Sequence, residues 1–158
     1  AARLTAEQPA ALYAIPGGAR SGSAWVDYRD AFLGSPAALQ IEAIRRGAPA
    51  GNLLGAAEAL HLPRERVYEL VGLSVSTAKR KVAANEVLDP LVTERLVRLG
   101  RVEKLAEETF GDPALAAEWL QAVNVGLGGV APLALLDTEI GCHEVSRVLN
   151  AIAYGGAA

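Results

Sequence analysis

A single cysteine, Cys142, excludes an internal disulfide. It points to a reducing compartment and hence to the cytoplasm. Aromatic residues are scarce, at two Trp, four Tyr and two Phe, so alanine and leucine carry the apolar half of the chain. That balance favours helices over sheets. No apolar run approaches the roughly 20 residues needed to span a bilayer, so no membrane partner is expected. No cationic start followed by an apolar core marks a signal peptide, although the sequence begins at Ala1 and not at methionine, so that its first residues say little about a leader. Only two histidines occur, His61 and His143. His143 and Glu144 follow Cys142 directly, but adjacent residues on a helix point apart, and no second cluster completes a metal site. Gly126, Gly128 and Gly129 follow no strand, which argues against a dinucleotide loop and for a close backbone turn. No Ser-His-Asp set or carboxylate pair stands out. The residues therefore argue for a non-enzymatic chain with no cofactor and no metal.

What the chain does have is an uneven distribution of charge. The net charge is −3. From Ala1 to Lys104 there are 14 basic and 11 acidic residues, whereas Leu105 to Ala158 holds one basic residue, Arg147, and seven acidic ones. Such a split points to two surfaces with different partners, or to two ordinary solvated faces.

Helix signals run along most of the length. Residues 1–35 read as an irregular N-terminal arm, punctuated by Pro9, Pro16, Gly17, Gly18, Gly22 and Gly34. Trp25, Tyr28 and Phe32 break the pattern at helical spacing and can pin a short helix onto the body. Pro36 opens a helix with Leu39, Ile41 and Ile44 inward, ended by Gly47. Asn52 can cap the next, with Leu53, Leu54, Ala57 and Leu60 on its inner side. Pro63 opens a third, carrying Val67, Leu70 and Val71, and Ser74 caps a fourth. Asp89-Pro90 starts the longest helix, striped with Val92, Leu96, Leu99, Val102 and Ala106 and edged by Arg95, Arg98, Arg101 and Lys104. Asp112 can cap a helix holding Leu115, Trp119 and Leu120. Pro132 to Leu136 reads as one short turn. Thr138 can cap a last helix with Val145, Val148, Leu149 and Ile152 inward, ended by Gly155 and Gly156. No segment alternates convincingly enough for a strand. The fold class is all-α.

Gly72 to Val82 has the pattern of a turn and recognition helix. A glycine ends one amphipathic helix and a serine caps the next, which carries Lys79, Arg80 and Lys81 with no carboxylate from Ser74 to Ala84. A helix from Val75 puts Val75, Ala78 and Val82 inward. Ser76 and Arg80 then point outward, flanked by Thr77 and Lys79. Arg and Lys suit guanine edges or phosphates, and Ser and Thr suit phosphates. The expected DNA-binding residues are Ser76, Thr77, Lys79, Arg80 and Lys81. A second register competes, using the Asn52 and Pro63 helices with Ala57 at the crossing and Leu62 in the turn. Its outward face mixes Arg64 and Arg66 with Glu65 and Glu69, whose carboxylates meet phosphate repulsion. Against the favoured register, it puts bulky Tyr68 where a small residue is usual.

Gly72 to Arg101 resembles the Xre-type repressor helix-turn-helix. Trp119-Leu120, Gly128-Gly129, Pro132-Leu133, Leu136-Asp137-Thr138, Gly141, Val145, Leu149 and Tyr154-Gly155 together resemble the toxin-binding domain of the Xre/MbcA/ParS antitoxins. The resemblance spans roughly Ile41 to Gly156. It implies an Xre-like helix-turn-helix bundle over residues 36–104 and a small helical toxin-binding domain over 105–158. It also implies a type II antitoxin. Such a protein neutralises a RES-domain toxin, which resembles ADP-ribosyltransferases and consumes NAD, and represses its own operon by binding operator DNA. The implied partners are that toxin, operator DNA and a second copy of the chain, in a homodimer and in hetero-oligomers with the toxin.

In such a role the final residues make physical sense. The segment from Ala151 to Ala158 is slim, and Tyr154 is its one large polar-tipped side chain. An aromatic anchor entering a pocket is a common hot-spot solution; the competing reading has the Tyr154 ring capping the last helix against the core. The seven carboxylates of the C-terminal region, Asp137, Glu139 and Glu144 among them, can meet a basic nucleotide-binding surface on the toxin, with solvation as the alternative. The expected toxin-binding residues are Asp137, Glu139, Glu144, Tyr154 and Gly155. Two other functions fit the residues: a stand-alone repressor whose C-terminal region dimerises or senses a ligand, and a protein-binding module with a vestigial helix-turn-helix.

Overall fold

In a computed structural model, which describes Leu12 and residues 20–155, eight α-helices pack around two joined cores. They are α1 (Gly22–Leu33), α2 (Ala37–Arg46), α3 (Asn52–Ala59), α4 (Arg64–Leu70), α5 (Val75–Ala83), α6 (Pro90–Phe110), α7 (Pro113–Gln121) and α8 (Glu139–Ala153). Two 3-10 turns, Val125–Leu127 and Pro132–Leu135, sit between α7 and α8. Among the described residues the only extended pairings are isolated bridges at Pro49–Val87 and Asn124–Val130. No helix among them is long and apolar enough to cross a membrane.

Short side chains set four of the eight helix starts. Ser21 accepts from the Ala24 amide, Ser74 from Thr77, Asp112 from Ala114 and Thr138 from Gly141. Each satisfies a donor that the first turn leaves orphaned. Asn52 does not cap: Gly51 occupies the cap of α3, and the Asn52 side chain is buried with neither amide atom hydrogen-bonded. Asp89 holds the cap position of α6 but makes no side-chain bond there.

Residues 22–33, expected within an irregular arm, form α1. The aromatic spacing was the better guide. Trp25, Tyr28 and Phe32 all lie in the first core, beside Leu53, Ala56, Val67, Val71, Val92 and Leu96. A polar network fixes the same helix. Arg29, almost fully buried, donates to Glu103 at 2.8 Å, to Glu107 at 2.8 Å and to Asp30 at 3.0 Å, and Trp25 Nε1 donates to Glu103 at 2.9 Å. Burial pushes the Glu103 carboxyl up from its ordinary value against the pull of Arg29. Burial also works against the Arg29 charge, but three carboxylates outweigh it and hold the guanidinium protonated. Arg29 has several anions while Glu103 has one cation, so the two groups are affected differently.

Helix α6 joins the cores. Its first half supplies Val92, Leu96 and Val97 to the first; its second half supplies Leu99, Val102 and Ala106 to the second, with Leu120, Leu133, Leu136, Val145 and Leu149. The expected boundary after Lys104 thus falls inside one continuous helix. At α8 the close approach is made by Gly141, where an added Cβ would collide with the Leu135 carbonyl. Three inward expectations fail at the surface. Ile41 is 48% exposed, Val75 is 40% exposed and Ile152 is 43% exposed. Each sits at a helix position whose neighbouring face is already filled, by Ala43 in α2, Ala78 in α5 and Leu149 in α8.

Candidate nucleic-acid and partner interfaces

Two helix-turn-helix units overlap, and they are offset by 11 residues. In the first, the Leu62 amide donates to Ala57 O at 2.9 Å; in the second, the Leu73 amide donates to Tyr68 O at 2.8 Å. The turn residue is left-handed in both, His61 at φ 54° and Gly72 at φ 75°. Pro63 and Ser74 then enter the following helices with extended backbones. Each turn is a Schellman-type closure that satisfies the last carbonyls of the helix before it. The two sequence registers compete because both are real turns in the chain.

Helix α5 buries Ala78 and Val82, half-covers Thr77 and Lys81, and leaves its other positions open. Ser76 is exposed and Thr77 half-buried. The Ser74 hydroxyl donates to Thr77 Oγ1 at 2.9 Å, which leaves the Thr77 proton for another acceptor. Lys79 is exposed, with no ion pair among the described residues. Arg80 is exposed and lies 3.2 Å from Glu86. Lys81 is largely covered; it donates to Val87 O at 3.3 Å and lies 3.5 Å from Asp89. The carboxylate-free stretch therefore receives two carboxylates from beyond its own end, where Asn85 at φ 52° turns the chain back. Lys79 and Arg80 point to solvent, and Lys81 serves the loop into α6.

Sequence reasoning missed the cations that join this face from elsewhere. Arg20, Arg64 and Lys79 line one open cavity of about 430 Å³, with Glu65, Tyr68 and Val82. Arg20 donates to Val82 O at 3.0 Å and to Asn85 Oδ1 at 2.8 Å, closing the C-terminal end of α5. Tyr68 is buried, so the unusual bulk at the second crossing is absorbed by the core, and burial pushes its phenol up. Arg66 pairs with Glu69 at 3.1 Å. Arg64, set aside because of its acidic neighbours, was legible only through its position across from Lys79.

The other candidate surface belongs to α8 and the loop before it. Asp137, Glu139, Glu144, Tyr154 and Gly155 are all exposed. Glu139 lies 3.9 Å from His143, and Arg147 donates to Glu144 at 3.0 Å, holding that carboxyl below the ordinary range. Asp137 offers its backbone carbonyl to Arg98 at 3.1 Å. Tyr154 is 87% exposed and so does not cap α8 against the core. Gly155 follows in a left-handed conformation at φ 69°. Gly156 and the residues after it lie outside the described residues. Apolar groups missed from sequence share this region: Val123, Val125, Ile140 and Ile152 are exposed. The Asn124–Val130 bridge closes the loop that carries Val125, with the Gly129 amide donating to Asn124 O. Acidity was the sequence signal here, and the sequence reading assigned no role to Val123 or Val125. Cys142 is buried, and burial pushes its thiol up against the influence of Arg98. Among the described residues no group of three His, Cys, Asp or Glu is placed to hold a metal ion.

Comparison with known proteins matches both segments. Residues 39–101 match the antitoxin Xre-like helix-turn-helix domain. Residues 105–155 match the antitoxin Xre/MbcA/ParS C-terminal toxin-binding domain. The chain is 32% identical over 140 residues to the "Prs ADP-ribosylating antitoxin" of Sphingobium sp. strain YBL2, covering 83% of this chain and 87% of that protein. It is 29% identical over 90 residues to an "Antitoxin Xre" of Photorhabdus laumondii, covering 56% of this chain and 61% of that one. An "Antitoxin Xre" of Yersinia enterocolitica is 28% identical over 103 residues, covering 62% and 70%.

Proposed function

The chain belongs to the Xre/MbcA/ParS antitoxin family, and from that premise we propose that it inhibits a RES-type, NAD-consuming toxin and represses its own operon. In this reading residues 36–104 bind operator DNA, with α5 presenting Ser76, Thr77, Lys79 and Arg80. Residues 105–158 bind the toxin through Asp137, Glu139, Glu144, Tyr154 and Gly155. The protein acts as a cytoplasmic inhibitor and does no chemistry itself.

The observation that carries this reading is the condition of Tyr154. A large aromatic left 87% exposed at the end of a helix gives the isolated chain nothing, yet it is the kind of group that anchors an interface. The left-handed Gly155 after it lets the backbone turn into a cleft without side-chain clash. We place this end of the chain in or beside the toxin's NAD site, where it blocks cofactor entry. Helix α5 and α8 lie in different cores, so one protein can hold DNA and toxin on separate surfaces.

The test is co-expression with the neighbouring toxin gene, followed by co-purification and an assay of NAD consumption. Removal of residues 153–158 should release NAD consumption and leave DNA binding unchanged. Full silencing by the shortened chain would move inhibition to the acidic face around Glu139 and Glu144. We further propose a homodimer, because helix-turn-helix repressors read two half-sites about one turn apart. Light scattering showing a monomer at every concentration, with and without toxin, rules the dimer out.

A further inference from the structure

We propose that the concavity between α2, α6 and the start of α8 is a binding site for the phosphate or pyrophosphate group of a small molecule. The cavity holds about 350 Å³, within the range of small-ligand sites. Arg95, Arg98 and Arg101 all line it. Their three-residue spacing on α6 puts them on one side of the helix, over roughly 9 Å of rise.

Four arginines elsewhere in the chain are held closely by a carboxylate, whereas, among the described residues, the three of this cavity, like Arg20, Arg45 and Arg64, are not. Arg29, Arg66, Arg80 and Arg147 each have a carboxylate within 3.2 Å. Among the described residues, Arg95, Arg98 and Arg101 have no ion pair. Arg95 donates weakly to Val71 O, at 3.4 Å, and Arg98 donates to Asp137 O at 3.1 Å. The Arg98 Nε is enclosed within the protein, where the guanidinium interacts with the buried Cys142 thiol. Two carboxylates, Glu94 and Glu139, also line the cavity, but both are exposed, and the one ion contact of Glu139 is to His143. The site therefore keeps one positive charge in excess, on planar donors.

That chemistry selects phosphate. Guanidinium forks bind phosphate oxygens in pairs, and three of them match a tetrahedral or linked-tetrahedral anion better than one planar carboxylate. The wall facing α6 is preformed, because Gln40 is pinned by bonds to Phe32 O at 3.0 Å and Ser35 O at 3.2 Å. Beside the arginines, Ile44 and exposed Leu91 offer an apolar ledge on which a nucleoside base can rest. The shared ligand chemistry is the phosphate group; its source is either a free pyrophosphate or a nucleoside diphosphate.

Calorimetric titration of the full chain at low ionic strength with pyrophosphate, ADP and adenosine tests the site. Saturable binding of pyrophosphate or ADP is expected, with none for adenosine. Tighter binding of ADP than of pyrophosphate identifies a nucleotide, and equal binding identifies the free anion. Arg98→Ala should weaken binding at least about tenfold, the least that a lost charged hydrogen bond costs. Arg101→Ala, on an exposed residue, should do the same and remains usable if the Arg98 variant fails to fold. Arg45→Ala, outside the cavity, should change nothing. Absence of binding by both anions overturns the proposal. So does equal weakening by Arg45→Ala, which means general attraction. Loss of operator affinity in Arg98→Ala without any pyrophosphate or ADP binding would instead assign these arginines to the DNA backbone.

Discussion

Arg80 Nη1 lies 3.2 Å from Glu86 Oε2, across the turn that ends α5. Both side chains are exposed, so the pair is worth little, about 0–1 kcal/mol in water. Arg80 is thus parked and not committed, and a DNA groove has only to outbid one solvated carboxylate. Arg80→Ala should weaken operator binding by about 1–3 kcal/mol if it reads a base edge. Glu86→Gln should strengthen binding, because it removes both the competing partner and a repulsive charge. Fluorescence anisotropy at two salt concentrations measures both. If neither variant shifts the affinity while Arg64→Ala does, the α3–α4 unit is the one that enters the groove.

Arg29 should be the most costly surface-remote charge to remove. Taking away one partner of a buried ion pair costs about 3–5 kcal/mol, since the other is left in a dry site. Here Arg29→Ala strands Glu103 and also frees Asp30. Burial works against the Asp30 charge, but bonds from Arg29 and Lys104 outweigh it and hold its carboxyl below the ordinary value. The pH dependence has a definite sign. Glu103 titrates above its unfolded value, so the native state binds the extra proton and stability falls as pH rises through that window. Loss of Arg29 moves it further up. The Asp30 contribution is present above its unfolded value and disappears as pH falls. The Glu103 term makes the penalty of Arg29→Ala largest near neutral pH and smaller toward pH ~4.5, while the Asp30 term is lost only at more acid pH. Thermal melts of both proteins across that range check it; a constant difference would contradict the network.

The two left-handed turns predict opposite responses. At Gly72 a Cβ meets the Arg95 guanidinium as well as the backbone penalty. Gly72→Ala should destabilise by at least about 1–2 kcal/mol, the left-handed penalty alone. At His61, φ 54° already imposes that penalty on a side chain. His61→Gly should stabilise by about 0.5–1 kcal/mol, the relief less the extra chain entropy of glycine. Denaturant midpoints of the two variants should move in opposite directions.

These cases show where the sequence was legible. Capping at Ser74, Asp112 and Thr138 rests on neighbours two or three residues away, and local pattern finds such contacts. The Arg29–Glu103 pair joins residues 74 apart and leaves no local trace. Asn52 looked like a cap because its type is right, but Gly51 already occupies the cap and the Asn52 side chain is buried. The favoured DNA register rested on charge along one helix. That count leaves out Glu86 and Asp89, which fold back after Asn85, and Arg20 and Arg64, which arrive from other segments. Val123 and Val125 carry no helical pattern in the sequence, and the loop geometry turns them outward.

Tyr154 offers the cleanest separation of stability from function. Its ring is 87% exposed and makes no ring contact with the other described aromatics. The cap of α8 is carried by backbone bonds, from the Tyr154 amide to Asn150 O and from the Gly155 amide to Ile152 O, and neither needs the Tyr154 ring. Tyr154→Ala should therefore leave the melting temperature nearly unchanged, within the ±0.5 kcal/mol typical of open surface positions. At a toxin interface the same change removes a buried aromatic, and hot-spot truncations of that kind cost about 2 kcal/mol or more. Affinity for the toxin should drop by roughly 30-fold, the equivalent of 2 kcal/mol. Tyr154→Phe separates the two halves of the side chain. Retention of affinity by Phe means that apolar area carries the contact; loss with Phe means that the hydroxyl bonds a polar pocket group. Surface plasmon resonance against purified toxin, alongside melts of the free variants, reads both quantities. If Tyr154→Ala binds and inhibits as the unaltered chain does, the exposed ring is not the anchor, and the outward valines and Ile140 become the surface to probe next.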